Sequence, residues 1–483
     1  MLTFLADFWP WLVGLLHLVI VSATTVHIVL WKRDSRAAIG WVGLVWLSPF
    51  VGAAFYYAFG VNRIRRKAAR LRERETLSFD EEPPLTAEDA GYRDKLLARY
   101  PNLLGLGTVG HHLTSRPVLP GNHIEPLCNG DEAYPAMLAA IGQAKQSIAL
   151  LSYIFDSDRI GDQFLDALIA AKNRGVEIRV LVDDVGSRYS KPNMLSRLHA
   201  AGINATAFLP SRTPRLFKFA NLRNHRKILI VDGSVGFTGG TNIRAAHCLE
   251  LKTKHPVQCV HFKIDGPVVR QIQEAFAIDW AFTTGEYLSG RLWFPDIPHD
   301  GPVWARGIPN GPDEDFEKMS DVILAALSVA TRSVRVVTPY FLPDNAMIRA
   351  FNVAAMRGVD VRICMPSKNN IPPVNWASMS QMWQLLEKGC RVYLSATPFD
   401  HTKLFVVDGS WSLIGSTNWD DRSLRLNFEF NVECYSDTFA ETLNAIIDRK
   451  LSTARELTLE EVDSRSYPIR FRDGLARLMT PYL

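Results

Sequence analysis

The sequence predicts an α/β protein: two duplicated α/β sandwich domains packed as a pseudo-dimer, preceded by an N-terminal helical membrane hairpin. Three observations predict it. Helix-like and strand-like runs alternate through the middle of the chain, the same alternation returns in the second half, and two long uncharged runs occupy the N-terminus. A chain of 483 residues is also too long for one typical core and points to two or three domains.

The N-terminal runs come first. No residue between Asp7 and Lys32 carries a formal charge, and that stretch is long enough to cross a bilayer. A second uncharged run lies between Arg36 and Arg63. A secretory signal does not fit, because no basic region precedes the first run and it is too long for a signal core. The bland alternative is a pair of buried core helices. We assign 1–62 to membrane anchoring, with segments 8–31 and 37–60, and 63–121 to a basic juxtamembrane segment and linker. The loop KRDSR is basic, and RIRRKAARLRERE after the second run is more so, which favours a cytoplasmic body. Pro49 and the glycines around it also allow a re-entrant second run, with both basic stretches on one side.

Past the polar linker FDEEPPLTAEDAG, AYPAMLAAIGQAKQ reads as a helix and SIALLSYIF as a buried strand. DQFLDALIAAKNRG is a helix closed by Gly175, followed by the strand VEIRVLVDD, then NMLSRLHAAG and INATAFL. The second half repeats the order: DVILAALSVATR and SVRVVTPYFLP, AMIRAFNVAAMRG and VDVRICMPS, MWQLLEKG and CRVYLSA. Gly358 answers Gly175. A repeat of this length exceeds a solenoid unit of roughly 20–50 residues, so it is a duplicated domain. Its copies are placed at 122–290 and 300–450, with a tail at 451–483.

Each copy carries one polar constellation. NHRKILIVDGSVGFTGGTN places His225, Lys227, Asp232 and Asn242 at successive gaps of 2, 5 and 10 residues. DHTKLFVVDGSWSLIGSTN repeats those gaps with His401, Lys403, Asp408 and Asn418. One H-x-K is weak evidence; two copies at matching places in a duplication are not chance. On an extended strand, residues two apart share a face, so each His should sit beside its Lys. Asp-Gly then turns the chain, and the asparagines return to the same neighbourhood. If the halves pack about a pseudo-two-fold axis, two His, two Lys and two Asn meet in one pocket.

Lysines repel cations and no carboxylate cluster accompanies them, so no metal or other cofactor is expected. The pocket suits an anion that gains charge during reaction. Two imidazoles can divide the labour, one as nucleophile and one as general acid. A phosphodiester is the substrate class. The net charge of +4 is too small to argue for nucleic acid, and the surplus lies next to the membrane region. Six scattered cysteines without a CxxC pair indicate neither zinc nor a disulfide framework and fit a reducing compartment.

The double H-x-K-x4-D-x6-G-[GS]-x-N resembles the phospholipase D superfamily. With two N-terminal apolar runs, TPYFLP before the second motif, RSLRLNFEFNVE after it and the apolar end LARLMTPYL, the whole layout is similar to that of bacterial cardiolipin synthases. The resemblance implies transfer of a phosphatidyl group from one phosphatidylglycerol to another, giving cardiolipin and glycerol without a metal. It implies His225 as nucleophile and His401 as acid and then base. Lys227, Lys403, Asn242 and Asn418 would bind phosphoryl oxygens, with Asp232 and Asp408 completing the catalytic motifs and holding them together. It further implies phospholipid substrates (phosphatidylglycerol or phosphatidylethanolamine as acceptor), a bacterial plasma-membrane location with the catalytic domains on the cytoplasmic side, and no nucleic acid. The oligomeric state stays open.

One departure concerns the acids. Glu429 fits the acid expected behind the second-half histidine, whereas Cys259 stands where an aspartate is common in the first half, and Glu250 is a candidate substitute. A thiol does not stabilise an imidazolium as a carboxylate does. Other readings are a membrane phospholipase D or another phosphatidyltransferase, a nuclease, and a non-catalytic scaffold; the intact motifs oppose the last. Trp376, Trp419 and Phe428 are candidates for the acyl-chain border, with core packing the favoured role. The tail is read either as an amphipathic bilayer contact or as a docked helix.

Overall fold

The computed structural model describes residues 2–32, 35–61, 91, 95–96, 98–210, 222–298, 300–312 and 317–480. The basic stretch after the second apolar run, and all but Gly91 of the proline-containing linker, lie outside them. The chain forms two compact units, an N-terminal helical unit and an α/β body.

In the N-terminal unit α1 spans Leu2–Trp31, α2 Ser35–Leu47 and α3 Pro49–Phe55, followed by a π turn at Tyr56–Gly60. Trp9–Trp31 is 23 residues long with a mean hydropathy of 2.1. At about 1.5 Å per residue that length matches the ~30 Å hydrocarbon core. Among the described residues it is the one helix long and apolar enough to cross a membrane. The expected second span is broken, because Pro49 starts a new helix after Ser48. α3 folds back on α2, so closely that a Cβ at Gly52 would lie 2.5 Å from the Leu44 carbonyl oxygen. His27 Nδ1 and Tyr56 Oη are 2.8 Å apart, so the second run returns to the end of α1 from which it departed.

The body contains two large mixed sheets. The first runs His123–Cys128, Val260–Asp265, Val235–Gly239, Ile228–Val231, Ser147–Ser152, Glu177–Asp183, Ala205–Phe208. The second repeats this order as Gly301–Asn310, Asn427–Tyr435, Trp411–Gly415, Leu404–Val407, Ser333–Val337, Asp360–Pro366, Arg391–Ser395. In both, the last three strands are parallel and the rest antiparallel. Leu119–Gly121 and Arg455–Leu457 extend the edges of the second sheet. The expected boundaries therefore do not match the sheets: residues before 122 and after 450 both contribute strands to the second sheet.

Local chemistry sets the elements. Asp158 caps helix Arg159–Asn173 by accepting from the Ile160 and Gly161 N–H groups. Gly175 and Gly358 end equivalent helices at φ +87° and +88°, where a Cβ would be strained. Helices Val268–Thr284 and Asp437–Ser452 share an apolar layer with strands of both sheets, centred on Phe276, Trp280, Phe430 and Leu443. The fully buried Trp280 alone is worth about 3–5 kcal/mol against truncation to Ala. The outer helices of each half cover separate apolar clusters. Because the middle layer is common, the halves are one packed body.

Candidate active site

Two short ladders between the halves aim the histidines. Arg223–Asn224 pairs with Asn427–Phe428, and Val257–Gln258 pairs with Phe399–Asp400. Each histidine then donates its backbone N–H across the junction, His225 to Phe428 O at 2.9 Å and His401 to Gln258 O at 2.7 Å. The strands proper begin after the lysines, at Ile228 and Leu404, so the His–Lys pairs occupy the lead-in segments and not the expected strand. The lysines are nevertheless held beside their histidines. Lys227 Nζ donates to the His225 carbonyl and Lys403 Nζ to the His401 carbonyl, both at 2.7 Å. The two imidazole centroids are 6.2 Å apart at 84°.

The acids are arranged differently from the sequence expectation. Glu429 serves His225, across the junction: its carboxylate oxygens lie 2.9 and 3.1 Å from His225 Nδ1. Ser416 Oγ donates to the same carboxylate at 2.5 Å. The equivalent pair in the other half is Gly240 and Cys259. His401 Nδ1 lies 3.0 Å from the Gly240 carbonyl oxygen, and Cys259 Sγ is turned to the His401 carbonyl at 3.4 Å. A side chain at 240 would collide with the thiol, its Cβ 2.6 Å from Cys259 Sγ. Of the two motif histidines, the one without an acid among the described residues is therefore His401. Glu250 does not substitute, since it is exposed on a surface turn while its backbone N–H donates to Asp131.

Electrostatics follow from burial of like charges. Desolvation, opposed by Glu429, pushes His225 down to about 4, which leaves a neutral ring donating from Nδ1 and presenting an Nε2 lone pair. Burial alone would raise Glu429, yet His225, Lys227 and the Ser416 hydroxyl hold it below its usual value. Burial, Lys403 and Lys227 put His401 well below its usual value. Burial also lowers Lys227 to about 7 and Lys403 to about 8.

Asn242 Oδ1 accepts the Ile154 N–H, and Asn418 Nδ2 donates to Ser423 Oγ. Asn418 Oδ1 is buried without a partner. Asp232 and Asp408 stand apart from the imidazoles, at the far ends of four-residue strands roughly 13 Å long. Asp232 accepts the N–H groups of Lys145, Gln146 and Ser147. Asp408 accepts those of Thr331, Arg332 and Ser333 together with the Thr331 hydroxyl.

Three site neighbours escaped the sequence reading. Tyr153 packs edge-on against His225 at 5.1 Å, and Tyr340 against His401 at 6.2 Å. His247, with 2% of its surface exposed and Nδ1 unpartnered, lies 6.3 Å from His401. The quoted TPYFLP held Tyr340 in view, but nothing in spacing marked Tyr153 or His247. Trp419 and Phe428 are core residues, and Trp376 packs under Arg472.

Fold and site define a duplicated α/β body around one cationic pocket with two opposed imidazoles, the apparatus of phosphodiester chemistry. The family model described as "Cardiolipin synthase, PLD-like domain" matches residues 137–280 and 323–451. The major cardiolipin synthase of Bacillus subtilis is 30% identical, covering 94% of this chain and 95% of its own length. A cardiolipin synthase of Geobacillus kaustophilus is 32% identical over 99% of this chain and 95% of its own. The crystal structure of a phosphatidylserine synthase from Haemophilus influenzae shares the fold, with a TM-score of 0.62, 16% identity, and coverage of 78% of this chain and all of that one. The chain belongs to the cardiolipin synthase family of phospholipase D-like proteins.

Proposed function

We propose that the pocket transfers a phosphatidyl group from one phosphatidylglycerol to the hydroxyl of a second, giving cardiolipin and glycerol. The observation that carries the assignment is the His225–Glu429 pair. A neutral His225 attacks phosphorus through Nε2, the bond to the glycerol oxygen breaks, and His401, which takes up a proton on Nε2 when the anionic phosphodiester binds beside it, gives that oxygen its proton. The carboxylate of Glu429 stabilises the positive phosphorylated ring. His401, backed by a carbonyl alone, parts with its proton more readily and is the better acid. The acceptor hydroxyl then loses its proton to His401 and attacks phosphorus, freeing His225. Lys227, Lys403 and the amides of Asn242 and Asn418 neutralise the phosphoryl oxygens. Asp232 and Asp408 hold the motif turns in place and do not touch the reacting atoms.

Labelled phosphatidylglycerol, alone and with phosphatidylethanolamine, followed by lipid mass spectrometry tests the reading. Labelled cardiolipin and glycerol are expected; phosphatidic acid as the sole product makes the chain a hydrolase. A p-nitrophenyl phosphatidyl ester, whose leaving group needs no acid, separates the histidines. His401→Ala should release one p-nitrophenol per chain and stop, and His225→Ala none; the reverse pattern exchanges their roles.

For orientation, the return of α3 to the end of α1 supports a re-entrant second run with Ser35 on the same side as Val61, both cytoplasmic. Labelling of Ser35→Cys by an impermeant thiol reagent in intact cells would refute this.

A further inference from the structure

The C-terminal helix Tyr467–Leu478 is fastened to the body by one side and bare on the other. Its docked side holds Asp473 and Ala476, 1% and 8% exposed. Asp473 is gripped by Arg465 at 2.7 Å and Arg472 at 2.7 Å, and Arg465 also reaches the Met379 carbonyl. Arg472 lies 4.5 Å over the ring of Trp376. Ala476 joins Leu342, Val374 and Ala377 in a small apolar cluster against helix Pro372–Met379.

The outer side is apolar. Tyr467, Phe471, Leu475 and Leu478 are 86, 69, 49 and 71% exposed. At 3.6 residues per turn they fall within an arc of about 80°, centred about 170° from the docked pair. Arg470 and Arg477 border the stripe on one side, and on the other Arg472 is turned back onto Asp473 and Trp376. A core helix would turn such a stripe inward. Here it is aimed away from the protein, with two cations along one border.

We propose that this helix lies in the interfacial plane of an anionic lipid bilayer, its apolar stripe among the acyl chains and Arg470 and Arg477 at the phosphates. Position ties it to the pocket. Against the cluster beneath it packs Tyr340, whose hydroxyl donates to Asn370 Oδ1 at 2.8 Å and whose ring meets His401 edge-on. The helix thus holds the His401 side of the pocket at the depth where a lipid headgroup lies, a purpose that rests on the phosphatidyl-transfer reading.

The full chain carrying benzoylphenylalanine at Phe471, in nanodiscs of phosphatidylglycerol and phosphatidylcholine, should cross-link to lipid on irradiation. Cross-links to a second copy of the chain, or none, would overturn the proposal. As a second measurement, Phe471→Asp with Leu475→Asp should cut turnover of bilayer-embedded phosphatidylglycerol at least tenfold while sparing monomeric dihexanoyl phosphatidylglycerol. Both substitutions are on the exposed stripe, so folding is preserved; equal losses on the two substrates would sink the idea. The cross-link reports the helix whatever the product proves to be, and loss of the cross-link with full cardiolipin synthesis would condemn the helix alone.

Discussion

Glu429 and His225 belong to different halves of the chain, yet their side chains meet at 2.9 Å with the carboxylate fully buried. That contact orients the His225 imidazole and fixes its tautomer. Glu429→Gln keeps the shape and removes the charge. First-turnover release of p-nitrophenol should slow by roughly 10²–10⁴, the range seen when a histidine loses its orienting carboxylate. An unchanged first turnover would remove Glu429 from the reaction.

Two lysines held down to about 7 and about 8 make anion binding depend on pH. A phosphodiester favours their protonated forms, so binding takes up protons and weakens as pH climbs through 7 and then 8. For glycerophosphoglycerol, whose diester does not titrate there, Kd should rise by about tenfold per pH unit for each lysine lost. Calorimetry between pH 6 and 9 in buffers of different ionisation enthalpy measures both effects. A flat Kd would contradict the lysine assignment.

Cys259 is 1% exposed, and burial raises its thiol above the usual value, so it packs as a neutral group. Cys259→Ser should retain activity within about threefold, and iodoacetamide should leave the native residue unmodified. Cys259→Asp puts a negative charge near Lys403. It should raise that lysine's pKa and move the weakening of glycerophosphoglycerol binding to higher pH. A large loss in the serine variant would give the thiol a part in proton handling.

Asp408 is a structural clamp with a carboxyl held below its usual value: burial works against this, and the donors from Thr331, Arg332 and Ser333 prevail. Asp408→Asn should cost roughly 2–4 kcal/mol, read as a lower thermal midpoint, with turnover per folded molecule preserved. A depressed folded-state pKa stabilises above about 3.8 and the benefit is lost as pH falls through the folded value. The gap between wild type and variant should accordingly narrow below about pH 4. Lost turnover at full stability would restore Asp408 to the chemistry.

Much of this was readable in the primary structure because it is periodic or repeated. The alternation SIALLSYIF, DQFLDALIAAKNRG, VEIRVLVDD maps onto one βαβ unit, and the doubled motif located both histidines and both lysines. Pairings that cross between the halves were not readable. Glu429 follows the second motif in the chain, so proximity in sequence assigned it to His401; the ladder of Arg223–Asn224 with Asn427–Phe428 carries it to His225 instead. Pro49 was visible as a breaker, but the return of Tyr56 to His27 depends on packing between helices. His247 belongs to a loop with no period to reveal it.

The difference between Ser416–Glu429 and Gly240–Cys259 is something two identical subunits could not have. In a symmetric pair any residue placed behind one imidazole appears behind the other, so both rings must share one compromise environment. Fusion of the copies into a single chain removes that constraint. Each histidine can then be given surroundings of its own, and a mutation behind one ring no longer alters the other.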